Sequence, residues 1–306
     1  MKKNHFFHSF RVGASVIKAS FALAPNKAIF NELNAKQIEK ITLAKANNIK
    51  KNYSFSKFYK YGRQIYEIEK RRTCFLALYS QVLKKETLIN EFLTSFLVNS
   101  MAMEGGTVTY EAALQINNRK KIRQSFVSDE DILLYKQLKE AYYSLKAIKI
   151  RYPAQIKKLH NKIYKNLFSF AGKYRKEKVA FGNAIEPAIT SDPRNIVRDY
   201  KRALEKYYST KTKVYDFERI IEFHKSYEAV HGFRDGNSRL GRLIMAHQMM
   251  QQGYPAVILK GNQSIAYRNS LVRAINSKDN TSLHKLFYNA YCSTYDKFWE
   301  NALLSK

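Results

Sequence analysis

The chain of 306 residues carries two cysteines, five prolines, eleven glycines and one tryptophan. Two cysteines, Cys74 and Cys292, cannot build a disulfide framework and form no metal pattern. They are expected as ordinary buried thiols in a reducing, cytoplasmic compartment. No apolar run approaches the ~18 residues of a membrane span. Met1-Lys2-Lys3 imitates a secretion leader, but the stretch 12–25 is broken by Lys18 and lacks a clean apolar core, so no signal peptide is expected. Acidic residues are also short, at 25 against 54 Lys plus Arg, a net charge of +29. A composition of 45% hydrophobic and 14% aromatic residues excludes a disordered polycation. The charge points to phosphate in a partner, as nucleotide, nucleic acid or anionic lipid. A Lys-biased, solvated surface is the plainer alternative.

The charge is uneven. Residues 1–72 hold 16 Lys/Arg and 4 Asp/Glu, a net +12 (16 − 4), so the first quarter reads as a separate piece. Within it, 4–12 and 15–23 are aromatic or β-branched runs around a Gly-containing turn, which predicts a β-hairpin. From about 35 the pattern becomes a basic amphipathic helix. Residues 61–103 predict one or two long helices ending at Gly105-Gly106. Ser128 caps a helix to about 150, and Pro153 opens the next. Residues 171–183, with Gly at both ends and an alternating core, predict a short strand or hairpin. Further helices are expected at about 194–209, 216–230, 238–252, 264–276 and 281–303. The fold class is mostly α with small β additions. The expected divisions are 1–60, 61–150 and 151–306.

The stretch HGFRDGNSRLGR, 231–242, carries the most chemistry. His231 ends one helix, Asp235 sits in a tight turn with Gly236 and Asn237, and free amides at 236–238 open the next helix, where anions collect. Arg239 and Arg242 lie three apart on one helix face. A histidine, one carboxylate, an amide nest and two guanidinium groups suit phosphate transfer. One carboxylate suits Mg²⁺, which completes its shell with phosphate and water, and the arginines suit outer phosphates. His224 and His247 lack metal-ligand partners at useful spacing and are expected to pack or hydrogen-bond. The run 119–123 is expected as a solvated loop.

This stretch resembles the Fic (Fido) signature HPFx[D/E]GN[G/K]RxxR, matching at His231, Phe233, Asp235, Gly236, Asn237, Arg239 and Arg242. Gly232 stands where the family has Pro, and is expected to loosen the turn. Ser238 replaces Gly, or the Lys of the phosphotransferase branch, and is expected beside the anion nest. The resemblance extends over roughly 90–280. Lys178, Val179, Ala180, Phe181 and Gly182 resemble the flap that pairs with a target backbone. Tyr267 resembles an aromatic beside the adenine pocket, or is a core Tyr. Ser100, Glu104 and Gly105 resemble the inhibitory motif [S/T]xxxE[G/N] of the subclass with an N-terminal inhibitory helix.

The resemblance implies a Fic-type helical bundle with a hairpin flap. It also implies a protein adenylyltransferase that moves AMP from ATP, with Mg²⁺ on Asp235, to a Ser, Thr or Tyr hydroxyl of a target protein. His231 would act as general base with an ordinary pKa near ~6.5. Phe233, Gly236, Asn237, Ser238, Arg239, Arg242 and Tyr267 would form the nucleotide site, and Glu104 would hold Arg242 off the γ-phosphate. Self-modification and a homo-oligomer are compatible with this reading. The alternatives are removal of AMP, transfer of another nucleotide or phosphocholine, or nucleic-acid binding by residues 1–72 through Phe6, Phe7, Phe10, Tyr53 and Tyr59.

Overall fold

The computed structural model describes residues 34–82, 86–145, 148–182 and 186–300. The expected hairpin over 4–23, with Phe6, Phe7 and Phe10, lies outside them. Among the described residues the chain is helical: α1 (Asn34–Asn52), α2 (Arg63–Val82), α3 (Glu86–Ala102), α4 (Tyr110–Asn117), α5 (Asp129–Leu145), α6 (Pro153–Tyr164), α7 (Ile196–Ser209), α8 (Asp216–Val230), α9 (Asn237–Gln251), α10 (Ser264–Asn276) and α11 (Thr281–Tyr295). No helix there is long and apolar enough to cross a membrane.

Helices α8 and α9 are the centre. Leu240, Gly241, Arg242, Leu243, Ile244, Met245 and Ala246 are all buried in succession, so α9 has no solvent face along this run. On α7 the stripe Ile196, Tyr200, Ala203, Leu204 and Tyr207 is buried against α8. Helix α3 places Phe92, Phe96 and Ser100, four apart, toward the interior. The apolar residues of all these helices join one buried cluster.

Most predicted helices lie within two or three residues of their observed bounds. Helix α4 has no counterpart in the sequence reading. Thr109 caps it, its hydroxyl accepting from the Ala112 amide at 3.1 Å. The last helix ends at Tyr295 and continues as one π-turn over Asp296–Glu300.

The predicted strand or hairpin at 171–183 is a correction: no strand forms among its described residues, and only an isolated bridge joins Gly182 to Pro187. The segment instead spends its polar groups on α8, described below. The two thiols are half-buried rather than fully buried. Residues 53–59, expected as part of a separate basic piece, are tied to the bundle. Ser54 bridges Val214, the Ser56 amide donates to Glu218 at 2.7 Å, and Tyr59 is fully buried against Tyr215 and His284. Tyr53 is half-buried against the core, and the fully buried Tyr59 offers no open face for a base to stack on.

Candidate active site

Helix α8 ends at His231, whose φ of 46° is left-handed, a conformation uncommon outside glycine. The chain reverses over 232–236, and α9 starts after Gly236 at φ 80°. A Cβ at Gly236 would lie 2.4 Å from the Tyr164 ring, so no side chain fits there.

Arg175 holds the end of α8. Its guanidinium donates to the carbonyls of His231 (2.6 Å), Val230 (3.2 Å), Ser191 (2.6 Å) and Glu177 (2.7 Å), and it is buried. A fork of donors at a helix C-terminus satisfies carbonyls that the helix leaves open and complements its dipole. The expected loosening at Gly232 is not found. Its amide donates to the Tyr200 hydroxyl at 3.1 Å, and its carbonyl accepts from the Arg175 amide at 3.0 Å.

The loop is packed from beneath. Phe233 stacks on His160 at 3.8 Å. The Gly172 amide donates to His160 Nδ1 at 3.0 Å, so Nε2 carries the proton and donates to the Asp235 carbonyl at 2.9 Å. Burial lowers the His160 pKa to about 4, which favours that neutral form. Asn237, expected to grip phosphate, is buried with both side-chain ends on Phe233. Its Oδ1 accepts from the Phe233 amide (2.9 Å) and its Nδ2 donates to the Phe233 carbonyl (2.7 Å). It braces the turn instead. Ser238 turns away from the amide nest and donates to Glu228 at 3.0 Å.

The two arginines have different partners. Arg239 donates to both Asp235 oxygens at 3.0 and 3.2 Å and lies over the Tyr164 ring. Arg242 is buried. Its Nε donates to Ser100 Oγ (2.9 Å), one terminal nitrogen to the Ser100 carbonyl (2.6 Å) and the other to Glu104 Oε1 (2.9 Å). Glu104 and Gly105 follow α3 in a turn in which the Glu104 and Gly106 amides both donate to the Met101 carbonyl. Tyr267 is buried below Arg242, with its hydroxyl 2.7 Å from His224 Nε2, so it occupies the core position of the two expected for it. His247 Nε2 lies 3.0 Å from the Ile148 carbonyl.

His231 is nearly enclosed, and its ring stacks on Phe181 with centroids 4.8 Å apart. Burial, then the Arg175 charge, lowers its pKa to about 4 rather than leaving it near 6.5. The imidazole is neutral at neutral pH and able to accept a proton. Among the flap residues Lys178 and Ala180 are exposed, and Val179, Phe181 and Gly182 are half-buried. The Thr190 hydroxyl donates to the Val179 carbonyl, and the Ala188 amide donates to that of Phe181 at 2.7 Å. No group of three His, Cys, Asp or Glu side chains among the described residues could hold a metal ion. Asp235, about half exposed, has one carboxylate to offer.

Sequence reasoning passed over Arg175, Tyr200, His160, Tyr164 and Glu228. Glu228 left one signal: an acidic residue three before His231 and four after His224, on one face of the same helix. Arg175 closes the run Gly172-Lys173-Tyr174-Arg175 just before the flap residues. The other three come from distant helices and look like ordinary amphipathic stripe.

This is a helical protein whose polar site is built on the turn between two central helices. Residues 151–249 match the model of the Fic/DOC family. The adenylyltransferase Fic of Drosophila melanogaster is 22% identical over 213 residues, covering 68% of this chain and 43% of that protein. The chain thus spans less than half the length of the curated relatives it matches. A Fic family protein from Desulfovibrio desulfuricans superposes with a TM-score of 0.70 at 17% identity, over 82% of this chain and 77% of that one. Fic-1 of C. elegans, residues 134–508, gives 0.58 at 19% identity over 95% and 93%. The likeness to the Fic/DOC family model lies in residues 151–249, the part of the chain that carries the turn between α8 and α9.

Proposed function

We propose that the chain is a protein adenylyltransferase restrained by Glu104. The observation that carries this reading is the three-point hold on Arg242 by Ser100 and Glu104. Those residues match the inhibitory motif, and Arg242 ends the signature. In the proposed reaction ATP lies over the 236–242 turn and helix start, with Arg239 and Arg242 on the outer phosphates once released from Asp235 and Glu104. Mg²⁺ would neutralise phosphate charge, and Asp235, exposed at the mouth, would supply the protein oxygen. A target hydroxyl enters beside residues 178–182, and His231 takes its proton. The hydroxyl oxygen bonds to the α-phosphorus, the bond to the β-phosphate oxygen breaks, and pyrophosphate leaves. Phe181, stacked on His231, keeps water from the base. We take 61–150 as the region bearing the restraint and 151–306 as the catalytic core. The two half-buried thiols fit a reducing compartment.

The test is incubation with labelled ATP and a host lysate. Glu104→Gly should label targets or itself, and His231→Ala in that background should abolish labelling while ATP still binds. Undiminished labelling after His231→Ala refutes the assignment. A panel of other nucleotides followed by mass spectrometry identifies the transferred group.

A further inference from the structure

Glu228 is a carboxylate with no solvent exposure, and the reaction above does not use it. One oxygen accepts from Ser238 at 3.0 Å and lies 3.9 Å from Nδ1 of His231. The other accepts from Tyr267 at 3.4 Å and lies 3.9 Å from Nε2 of His224. His231 Nδ1 is itself buried with no side-chain hydrogen-bond partner, and the Glu228 backbone also acts on the ring. Burial without a paired cation in contact is unfavourable for a charged carboxylate. A residue serving only as packing at that place would be apolar.

We infer that Glu228 is the positioning residue of His231, the two coupled electrostatically across 3.9 Å as one titrating pair beneath the active site. The role in turnover rests on the reading of His231 as base; the shared titration does not. When Nε2 of His231 takes the target's proton, the imidazolium gains an ionised Glu228 on its Nδ1 side. When Glu228 holds a proton, that support is lost. The Ser238 departure from the family signature then has a reason: its hydroxyl holds the carboxylate in place.

The groups facing Glu228 are His224 and His231 on α8, Ser238 and Arg242 on α9, Glu104 after α3 and Tyr267 on α10. Tyr200 and Tyr227 act on it from farther away. Burial raises its pKa to about 7, with Arg242 opposing and Glu104 adding to the rise. Glu104 therefore links the restraint on Arg242 to the state of the base. Removing Glu104 lowers the Glu228 pKa and favours its ionised form.

The test is a nitrogen NMR titration of the His231 ring in the full chain, from pH 8.5 to 4.5, with no nucleotide. The wild type should show an inflection near 7 from Glu228, besides the ring's own titration at lower pH. Glu228→Gln should remove the upper inflection, Glu104→Gly should move it lower, and Ser238→Ala should move it higher. No inflection between pH 6 and 8 in the wild type, or its persistence in Glu228→Gln, overturns the pair. If Glu228→Gln fails to fold, the opposed shifts of the other two variants decide the matter, and the absence of both overturns it. In the Glu104→Gly background, Glu228→Gln should lower kcat about tenfold or more with KM for ATP little changed, and flatten the rate profile between pH 6 and 8. A change confined to KM overturns the positioning role. Loss of the proposed function would show instead as transfer that survives His231→Ala.

Discussion

Glu104→Gly removes one of three hydrogen bonds to a guanidinium that is 2% exposed. A hydrogen bond to a charged group contributes about 1.5–3 kcal/mol. The Glu104 side chain is 29% exposed, so water screens part of this and the lower end applies. At about 1.4 kcal/mol per factor of ten, release of Arg242 for phosphate becomes about tenfold easier. The two Ser100 contacts remain, and one of them, to the carbonyl, survives any side-chain change. Ser100→Ala with Glu104→Gly should therefore add several-fold more, short of additivity because both act on one guanidinium. The assay is initial-rate transfer of labelled AMP at sub-saturating ATP, beside direct measurement of ATP affinity. The gain should appear in both. An unchanged rate and affinity in the double variant would refute the restraint.

Gly232→Pro restores the family residue yet should destabilise this protein by about 2–4 kcal/mol, measured as a lower urea midpoint. It removes the amide that donates to Tyr200 and places a Cβ 2.5 Å from that ring; an unchanged midpoint would show the turn to be pliable. Arg175→Lys should lower both stability and transfer, because an ammonium cannot reach the carbonyls of Val230, His231, Ser191 and Glu177 together; thermal unfolding and labelled-AMP transfer measure the two losses. Stability should fall on acidification from about pH 6.5. The pKa values of His160, His231 and His247 are lowered to about 4 and that of His224 to about 3, each mainly by burial. The unfolded chain takes up these protons first, so each histidine costs about 2 kcal/mol by pH 5. Glu228, raised to about 7, has the opposite sign and offsets about one of them. A urea midpoint at pH 5 equal to that at pH 7 would contradict this account.

The helical class, the order of most helices and the position of the signature turn were legible because helical periodicity and capping are local. Gly253 after α9, Pro153 at the start of α6 and Ser128 before α5 each mark a boundary through backbone chemistry within one turn. Helix α4 was missed because it is only two turns long and follows an ambiguous Gly-rich turn. The hairpin reading of 171–183 failed because alternation of residue types shows only that a segment can be extended. Pairing needs a neighbour, and here Arg175 faces the carbonyls at the end of α8.

The identities of His231, Asp235, Arg239, Arg242 and Glu104 were available from spacing and resemblance. Their partners were not. Whether Arg242 lies beside Arg239 or turns inward to Ser100, 142 positions away, depends on how α3 packs against α9. The same holds for Asn237, whose side chain closes the turn instead of facing outward. The His231 pKa depends on burial and on Arg175, both set by packing. Local propensity reads a few residues at a time, whereas hydrogen bonding and desolvation in the core depend on residues that only the folded chain brings together.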